Sequence, residues 1–528
     1  MTEQDDFTSK QNDYAIFLPA ISGFYATFIG RQRNEQYVDP ARMPSGLKDM
    51  EQLNWLNSQK SLFPYRWSLY SAGHANLDLN KQDWSEDMVR NRASDTFMLG
   101  DSGGFQIAKG RWPGEWRDPT STEVQNKLAS LRAQGTKTVL NKKGKVVTVN
   151  PAAEYQKLLD DAENKRRLVL NWLDGIADYS MTLDIPTWVT VDKRAGALCG
   201  VNTVQEAIDA TKYNNEYFIR NRRGRDNGGT RILNVLQGDS HSSADEWYET
   251  MKHYCDPTQY PGRHFDGWAM GGQNMCDVEL VLKRLVALKY DNLLQPGIHD
   301  WMHFLGTSRL EWAVLLTALQ RTIRKYVNPN FTISFDCASP FLATANGQIY
   351  HEIDLPHEGK WTYRMSPGID DKKYANDTRS MRDVYLQDFP KDYQNFEESP
   401  ISALCQIKDI CIYQQGDLNK LGKEGRTSWD SFSYALQMAH NVWMHIKAVQ
   451  EANTLFDTGQ WPSMLRDNRP NKEFFVQLID RIFSANTRSE SEKIISQYTN
   501  YWPQIIGTRG NVGKKVWSTN TTYNQFFK

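Results

Sequence analysis

The chain has 528 residues with 62 Lys or Arg against 63 Asp or Glu, a formal net charge of −1 that excludes a polybasic scaffold coating nucleic acid indiscriminately. A hydrophobic fraction of 40% with 24% charged residues excludes a disordered chain, and six Cys are too few for a disulfide scaffold. No apolar run reaches the roughly 18 residues that span a bilayer, and the acidic, polar start MTEQDDFTSKQND is neither a signal nor a transit peptide, so a cytoplasmic protein is expected.

From about residue 95 to 340 one rhythm repeats. Short apolar runs end in Gly, Asp, Gln or Pro: TFMLG (96–100), YSMTLD (179–184), RILNVLQG (231–238), FDGWAMGG (265–272), MHFLG (302–306) and FTISFD (331–336). Between them lie stretches with apolar residues at three- and four-residue spacing, at 154–176, 204–222, 277–289 and 309–326. Buried strands alternating with helices predict a parallel sheet with crossover helices. Six units in this span, with further strand candidates on either side, predict a (β/α)8 TIM barrel with insertions and a C-terminal helical extension. The expected boundaries are 1–400 for the barrel, 401–450 for a subdomain ending in the last barrel helix, and 451–528 for the extension. Residues 345–400 are expected to form a long irregular insertion. Asp101, Asp184, Gln237, Gly271, Gly272 and Asp336 all fall at the C-terminal ends of strands, where such a barrel carries its chemistry; each alone could be turn punctuation.

Residues 106–150 hold nine Lys or Arg against three Asp or Glu, a local charge of +6, together with Trp112 and Trp116. Arg220, Arg222 and Arg223 form a second basic cluster. The terminal stretch mixes Lys514 and Lys515 with Tyr501, Trp502, Trp517 and Tyr523. Cations interleaved with aromatics suit a nucleic-acid backbone with stacked bases, and equally a solvated surface with a packed tail.

The hexapeptide DSGGFQ (101–106) after an apolar strand resembles the pocket signature of the tRNA-guanine transglycosylases. MTLDIP (181–186), VLQG (235–238), AMGG (269–272), HFLG (303–306) and SFDCASPFLATANGQ (334–348) are similar to that family's further motifs, in its order. LYSAGHA (69–75) and MAHNVWMH (438–445) extend the resemblance at either end. It implies Asp336 as the nucleophile on the sugar and Asp101 as the general acid/base. It further implies a base pocket of Ser102, Gly103, Gly104, Phe105, Asp184, Gln237, Gly238, Gly271 and Gly272. In that pocket Asp184 accepts from N1–H and the 2-amino group of a guanine-like base, Gln237 and Gly238 donate to O6, and Phe105 stacks.

Three departures matter. GGQNMCD (271–277) lacks the acid that would match an aminomethyl substituent, which favours a neutral 7-substituent such as the nitrile of 7-cyano-7-deazaguanine. Cys405, Cys411 and His440 are one Cys short of the family's structural zinc set, so they are either an incomplete zinc site or two buried thiols and a capping His. The long basic insertion looks more like the 7-deazaguanine DNA transglycosylases than the tRNA enzymes. The implied activity is exchange of guanine in DNA for a 7-deazaguanine through an aspartyl-sugar intermediate, with no catalytic cofactor and with accessory DNA-modification proteins as expected partners. The alternatives are the same exchange on tRNA, or a non-catalytic nucleic-acid-binding subunit. An aromatic wedge for extruding the base is expected from Trp112 or Trp116.

Overall fold

The computed structural model describes residues 13–36, 38–140, 144–412, 428–466 and 475–507. Eight parallel strands build one sheet: β1 (Ile16–Pro19), β2 (Trp67–Ser71), β3 (Phe97–Asp101), β6 (Tyr179–Met181), β7 (Arg231–Leu236), β8 (Gly267–Met270), β9 (Trp301–Phe304) and β10 (Thr332–Cys337), while β4 (Lys137–Leu140) and β5 (Val146–Val149) pair separately. The order β1-β10-β9-β8-β7-β6-β3-β2 curls round until its edges meet at one parallel bridge, Ala20 to Leu69, where the Ile21 N–H donates to the Leu69 carbonyl at 2.9 Å. The result is a nearly closed, TIM-like barrel in an α/β chain.

Crossover helices surround it: α1 (Gly23–Glu35), then after the insertion helix α2 (Thr122–Ala133) come α3 (Pro151–Ile176), α4 (Val204–Asn221), α5 (His241–Met251), α6 (Val278–Tyr290), α7 (Leu310–Tyr326) and α8 (Ser431–Asp457). The helical spacing at 154–176, 204–222, 277–289 and 309–326 thus folds as α3, α4, α6 and α7. α8 packs on α7, on the short helix Ser339–Ala345 and on the hairpin β11 (Gln348–Asp354)–β12 (Thr362–Pro367). Residues 345–400 are therefore more regular than expected, and the boundary expected at 450 falls inside α8.

The C-terminal extension is helical, with α9 (Phe475–Ser484) and α10 (Arg488–Gln497). Phe475, Leu478, Ile479, Ile482 and Phe483 form one buried stripe on α9, which packs on α7. Their burial stabilises the fold by about 1.5–3 kcal/mol per side chain. α7 is consequently covered on the face that a barrel helix usually turns to water. Tyr501 and Trp502 are fully buried, so these two aromatics are core residues rather than a platform for bases. Lys514 and Lys515 lie outside the described residues.

Side chains alternate across a strand, so Phe97, Leu99 and Asp101 share the inward face of β3, and Trp301 and His303 that of β9. At the N-terminal end of the barrel the rings of Trp67, Phe97, Tyr179 and Trp301 pack into a plug, with Phe97 stacked on Trp301 at 4.7 Å. The interior is closed there, and any cavity must open at the C-terminal ends of the strands. No helix among the described residues is long and apolar enough to cross a membrane.

Candidate active site

A cavity of about 420 Å³ occupies the C-terminal mouth, and Asp101, Asp184, Gln237, Gly271, Gly272 and Asp336 all line it. Both carboxylates expected to do chemistry therefore face one space. Asp101 ends β3 opposite Ser71, whose hydroxyl donates to Oδ2 at 2.5 Å, and the Gly103 N–H points at Oδ1 from 3.4 Å. Burial raises the Asp101 pKa; the Ser71 and Gly103 donors oppose that rise, and the nearby Asp336 charge adds to it. Asp101 is thus biased toward holding a proton.

Asp336 lies on β10 with its side chain 14% exposed. Its Oδ1 accepts the Gly306 N–H at 2.9 Å and lies 3.1 Å from His303 Nε2. His303 Nδ1 is 2.9 Å from the Ser334 hydroxyl, which accepts the Trp301 indole N–H at 2.8 Å. With Asp336 ionised, Nε2 must donate, and a neutral ring then accepts the Ser334 proton at Nδ1. A buried chain, Trp301–Ser334–His303, so fixes which way the Asp336 carboxylate faces.

Asp184 and Gln237 form the third group. The Gln237 Nε2 amide donates to Asp184 Oδ2 at 2.7 Å, and both side chains are 5% exposed. Burial pushes the Asp184 carboxyl up to about 7; the Gln237 donor opposes this and the Asp101 charge reinforces it. Two glycines make room for the pair. A Cβ at Gly104 would sit 2.4 Å from the Asp184 carbonyl and 2.9 Å from its Oδ1, and one at Gly271 would sit 2.6 Å from Gln237 Nε2. Any side chain at either position would displace the groups that line the pocket.

Phe105 flanks the same cavity, with Trp188 packed against it at 5.9 Å. Ser102 is buried and ties β3 to the end of β6 through its bond to the Thr182 carbonyl at 2.8 Å, so its side chain is a strut rather than a pocket group. Gly103 sits behind it under the Trp112 ring, and the Gly238 carbonyl accepts the Gln273 N–H at 2.8 Å. Neither Gly103 nor Gly238 is among the residues lining the cavity.

Other expectations are corrected. Arg222 is 3% exposed and spent on Asp266 (2.8 Å) and on the Thr230 and His264 carbonyls, at the N-terminal end of the barrel. Arg220 and Arg223 are exposed, but they follow α4 and precede β7, on the side away from the mouth. None of the three faces a ligand seated at the cavity. Trp116 is fully buried, its indole N–H on the Trp112 carbonyl and the Arg166 guanidinium over its ring, so it cannot act as a wedge. His440 donates from Nε2 to the Tyr350 carbonyl (2.8 Å) and meets the Ser399 hydroxyl at Nδ1 (2.8 Å). The Cys411 thiol points to the Ile369 carbonyl, and burial raises both the Cys405 and Cys411 thiol pKa values. No group of three potential metal ligands occurs among the described residues.

Ser71, Gly306, Arg111 and Gln106 also line the cavity and His303 stands against Asp336, although no sequence motif gives any of the five a role. Gln106 lines the cavity with a buried Oε1 that has no hydrogen-bond partner among the described residues, and Arg111 stands exposed at the rim. The available signal for His303 was an imidazole two residues beyond Trp301 in a short apolar strand. No protein-family model matches the chain, and no curated protein matches it.

Proposed function

We propose that this chain is a (β/α)8 base-exchange enzyme that replaces guanine in DNA with a 7-deazaguanine, 7-cyano-7-deazaguanine fitting best. The observation that carries the reading is the convergence of Asp101, Asp336 and the Asp184–Gln237 pair on one cavity of about 420 Å³. In the first step an Asp336 oxygen attacks C1′, the glycosidic bond breaks, and its electron pair leaves with the base. Protonated Asp101, made a better proton holder by burial, gives its proton to the departing guanine. In the second step the Asp101 carboxylate removes the N9 proton of the incoming base. N9 then attacks C1′ and releases Asp336. Two displacements on one face retain configuration and need no external energy source.

Asp184 accepts two hydrogen bonds from N1–H and the 2-amino group, and Gln237 donates to O6. These donors and acceptors explain guanine-like selectivity, which a sugar-cleaving hydrolase would not require. The run GGQNM that begins at the cavity residues Gly271 and Gly272 offers no acid for an aminomethyl group, which supports a neutral 7-substituent. Duplex DNA must present the guanine outside the stack, since the carboxylates sit inside the barrel mouth.

The test is incorporation of labelled guanine, and separately of 7-cyano-7-deazaguanine, into duplex DNA and into tRNA by the purified chain. Label in DNA that is lost in Asp336→Ala supports the reading. Label entering only tRNA overturns the choice of polymer, and no label in either polymer overturns the exchange itself.

A further inference from the structure

The insertion between β3 and β6 carries an isolated two-stranded ribbon, β4–β5, whose strands hydrogen-bond only to each other. A lone hairpin is marginal in water and gains from a partner. Leu140 and Val146 pair across this ladder and are 70% and 69% exposed, the most exposed large apolar residues among those described. From residue 124 to 153 the sequence has six cations (Lys127, Arg132, Lys137, Lys142, Lys143 and Lys145) and no acid, in a chain whose net charge is −1. Lys127 is engaged with Glu115 and the Tyr155 ring; Arg132, Lys137 and Lys145 are exposed as well, with the Lys137 ammonium on the Gln134 side chain. Lys142 and Lys143 lie outside the described residues.

The position of this ribbon follows from α3. A crossover helix runs antiparallel to the strands, so α3 descends from the mouth to the closed end of the barrel, where it feeds β6. Lys165 lies over the Trp112 ring, which packs on Gly103 beside Asp101; this sets residue 165 level with the site. At about 1.5 Å per residue, the part of α3 from 151 to 164 rises roughly 20 Å beyond the mouth. α2 packs on this raised segment through a small core of its own, Val124, Leu128, Ala152, Tyr155 and Leu159. The platform is locked below by Glu115, 2% exposed, which binds Arg117 at 2.8 and 2.9 Å and the Tyr155 hydroxyl at 2.7 Å.

We infer that the β4–β5 ribbon, with Arg132, is a duplex-DNA grip that stands over the catalytic mouth and enters a groove beside the target base. A two-stranded ribbon fits the major groove of B-DNA, where lysines meet phosphates and apolar side chains meet thymine methyls. Height, positive charge and exposed apolar side chains coincide in this ribbon. This inference deepens the proposed function and rests on it for the choice of DNA.

The test measures binding of a labelled 30-base-pair duplex, a single strand of the same sequence, and tRNA by fluorescence anisotropy across salt concentrations. The proteins are the intact chain, Arg132→Ala/Lys137→Ala/Lys145→Ala, Leu140→Ser/Val146→Ser, and Arg220→Glu/Arg223→Glu. The inference predicts at least about a tenfold loss of duplex affinity for the triple variant, with a salt slope shallower by about 2 to 3, and an unchanged slope with weaker binding for Leu140→Ser/Val146→Ser. The Arg220/Arg223 variant should bind as the parent does. Binding of free 7-cyano-7-deazaguanine, measured calorimetrically on every variant, reports the pocket separately and should stay unchanged. Unchanged duplex affinity in the triple variant overturns the grip, as does an equal loss on single strands or tRNA. Failure of the intact chain to bind the free base would instead count against the proposed function.

Discussion

Asp184→Asn should stabilise the protein above neutral pH while destroying the pocket. Burial raises the Asp184 pKa from the ordinary 3.8 to about 7, so the folded chain holds this proton more tightly than the unfolded chain does. The stabilisation belonging to the neutral acid is therefore complete below about pH 4 and is lost as pH climbs through about 7. A rise of that size corresponds to about 4 kcal/mol, at roughly 1.4 kcal/mol for each tenfold change in proton affinity, an upper figure because a buried site relaxes. Asn carries no such penalty and still presents an oxygen to Gln237 Nε2. For a chain of this length, about 4 kcal/mol is a Tm shift of about 3 to 4 °C. The assay is thermal unfolding of both proteins at about pH 4.5 and about pH 8.5, on either side of the folded pKa. Asn should gain most of that shift at the higher pH and little at the lower. A difference between the proteins that does not change with pH would refute the raised pKa. The same variant should lose affinity for 7-cyano-7-deazaguanine, because an amide nitrogen now meets a donor edge.

Further outcomes follow from the same geometry. His303→Gln should slow exchange by about 10- to 100-fold, the worth of one hydrogen bond to a charged group, while base affinity measured by calorimetry stays unchanged. Gly271→Ala should weaken base binding about tenfold by driving Gln237 off Asp184, with little change in Tm. Trp116→Ala should cost about 3 to 5 kcal/mol of stability as a cavity in the core, read by denaturant unfolding, with no loss specific to duplex DNA.

The barrel was legible where strands are short, apolar and followed by helical spacing, as at FDGWAMGG before α6 and MHFLG before α7. β1 and β2 carried less signal because α1, which follows β1, is only weakly amphipathic, and the β2–β3 crossover holds loops, a 3-10 turn and one four-residue helix. α7 reads as amphipathic but is buried nearly all round, because the covering α8 and α9 come from distant sequence. Asp101, Asp184, Gln237 and Asp336 were findable because strand ends in a parallel barrel converge by construction. The roles of His303 and Ser71 depend on register between neighbouring strands, Ser334 opposite His303 and Ser71 opposite Asp101, which no local pattern encodes. Composition misled for Trp116, Tyr501, Trp502 and Arg222. A basic or aromatic residue is equally at home in a core once its polar atoms find partners, and only burial separates the two cases.

The central claim is that Asp336 becomes covalently attached to the sugar. Rapid denaturing quench of the protein with duplex DNA, in the absence of an incoming base, should leave an adduct whose mass maps to the peptide containing Asp336. Addition of 7-cyano-7-deazaguanine before the quench should discharge it. Base exchange that proceeds at full rate in Asp336→Asn, with no adduct at any time point, would contradict the account.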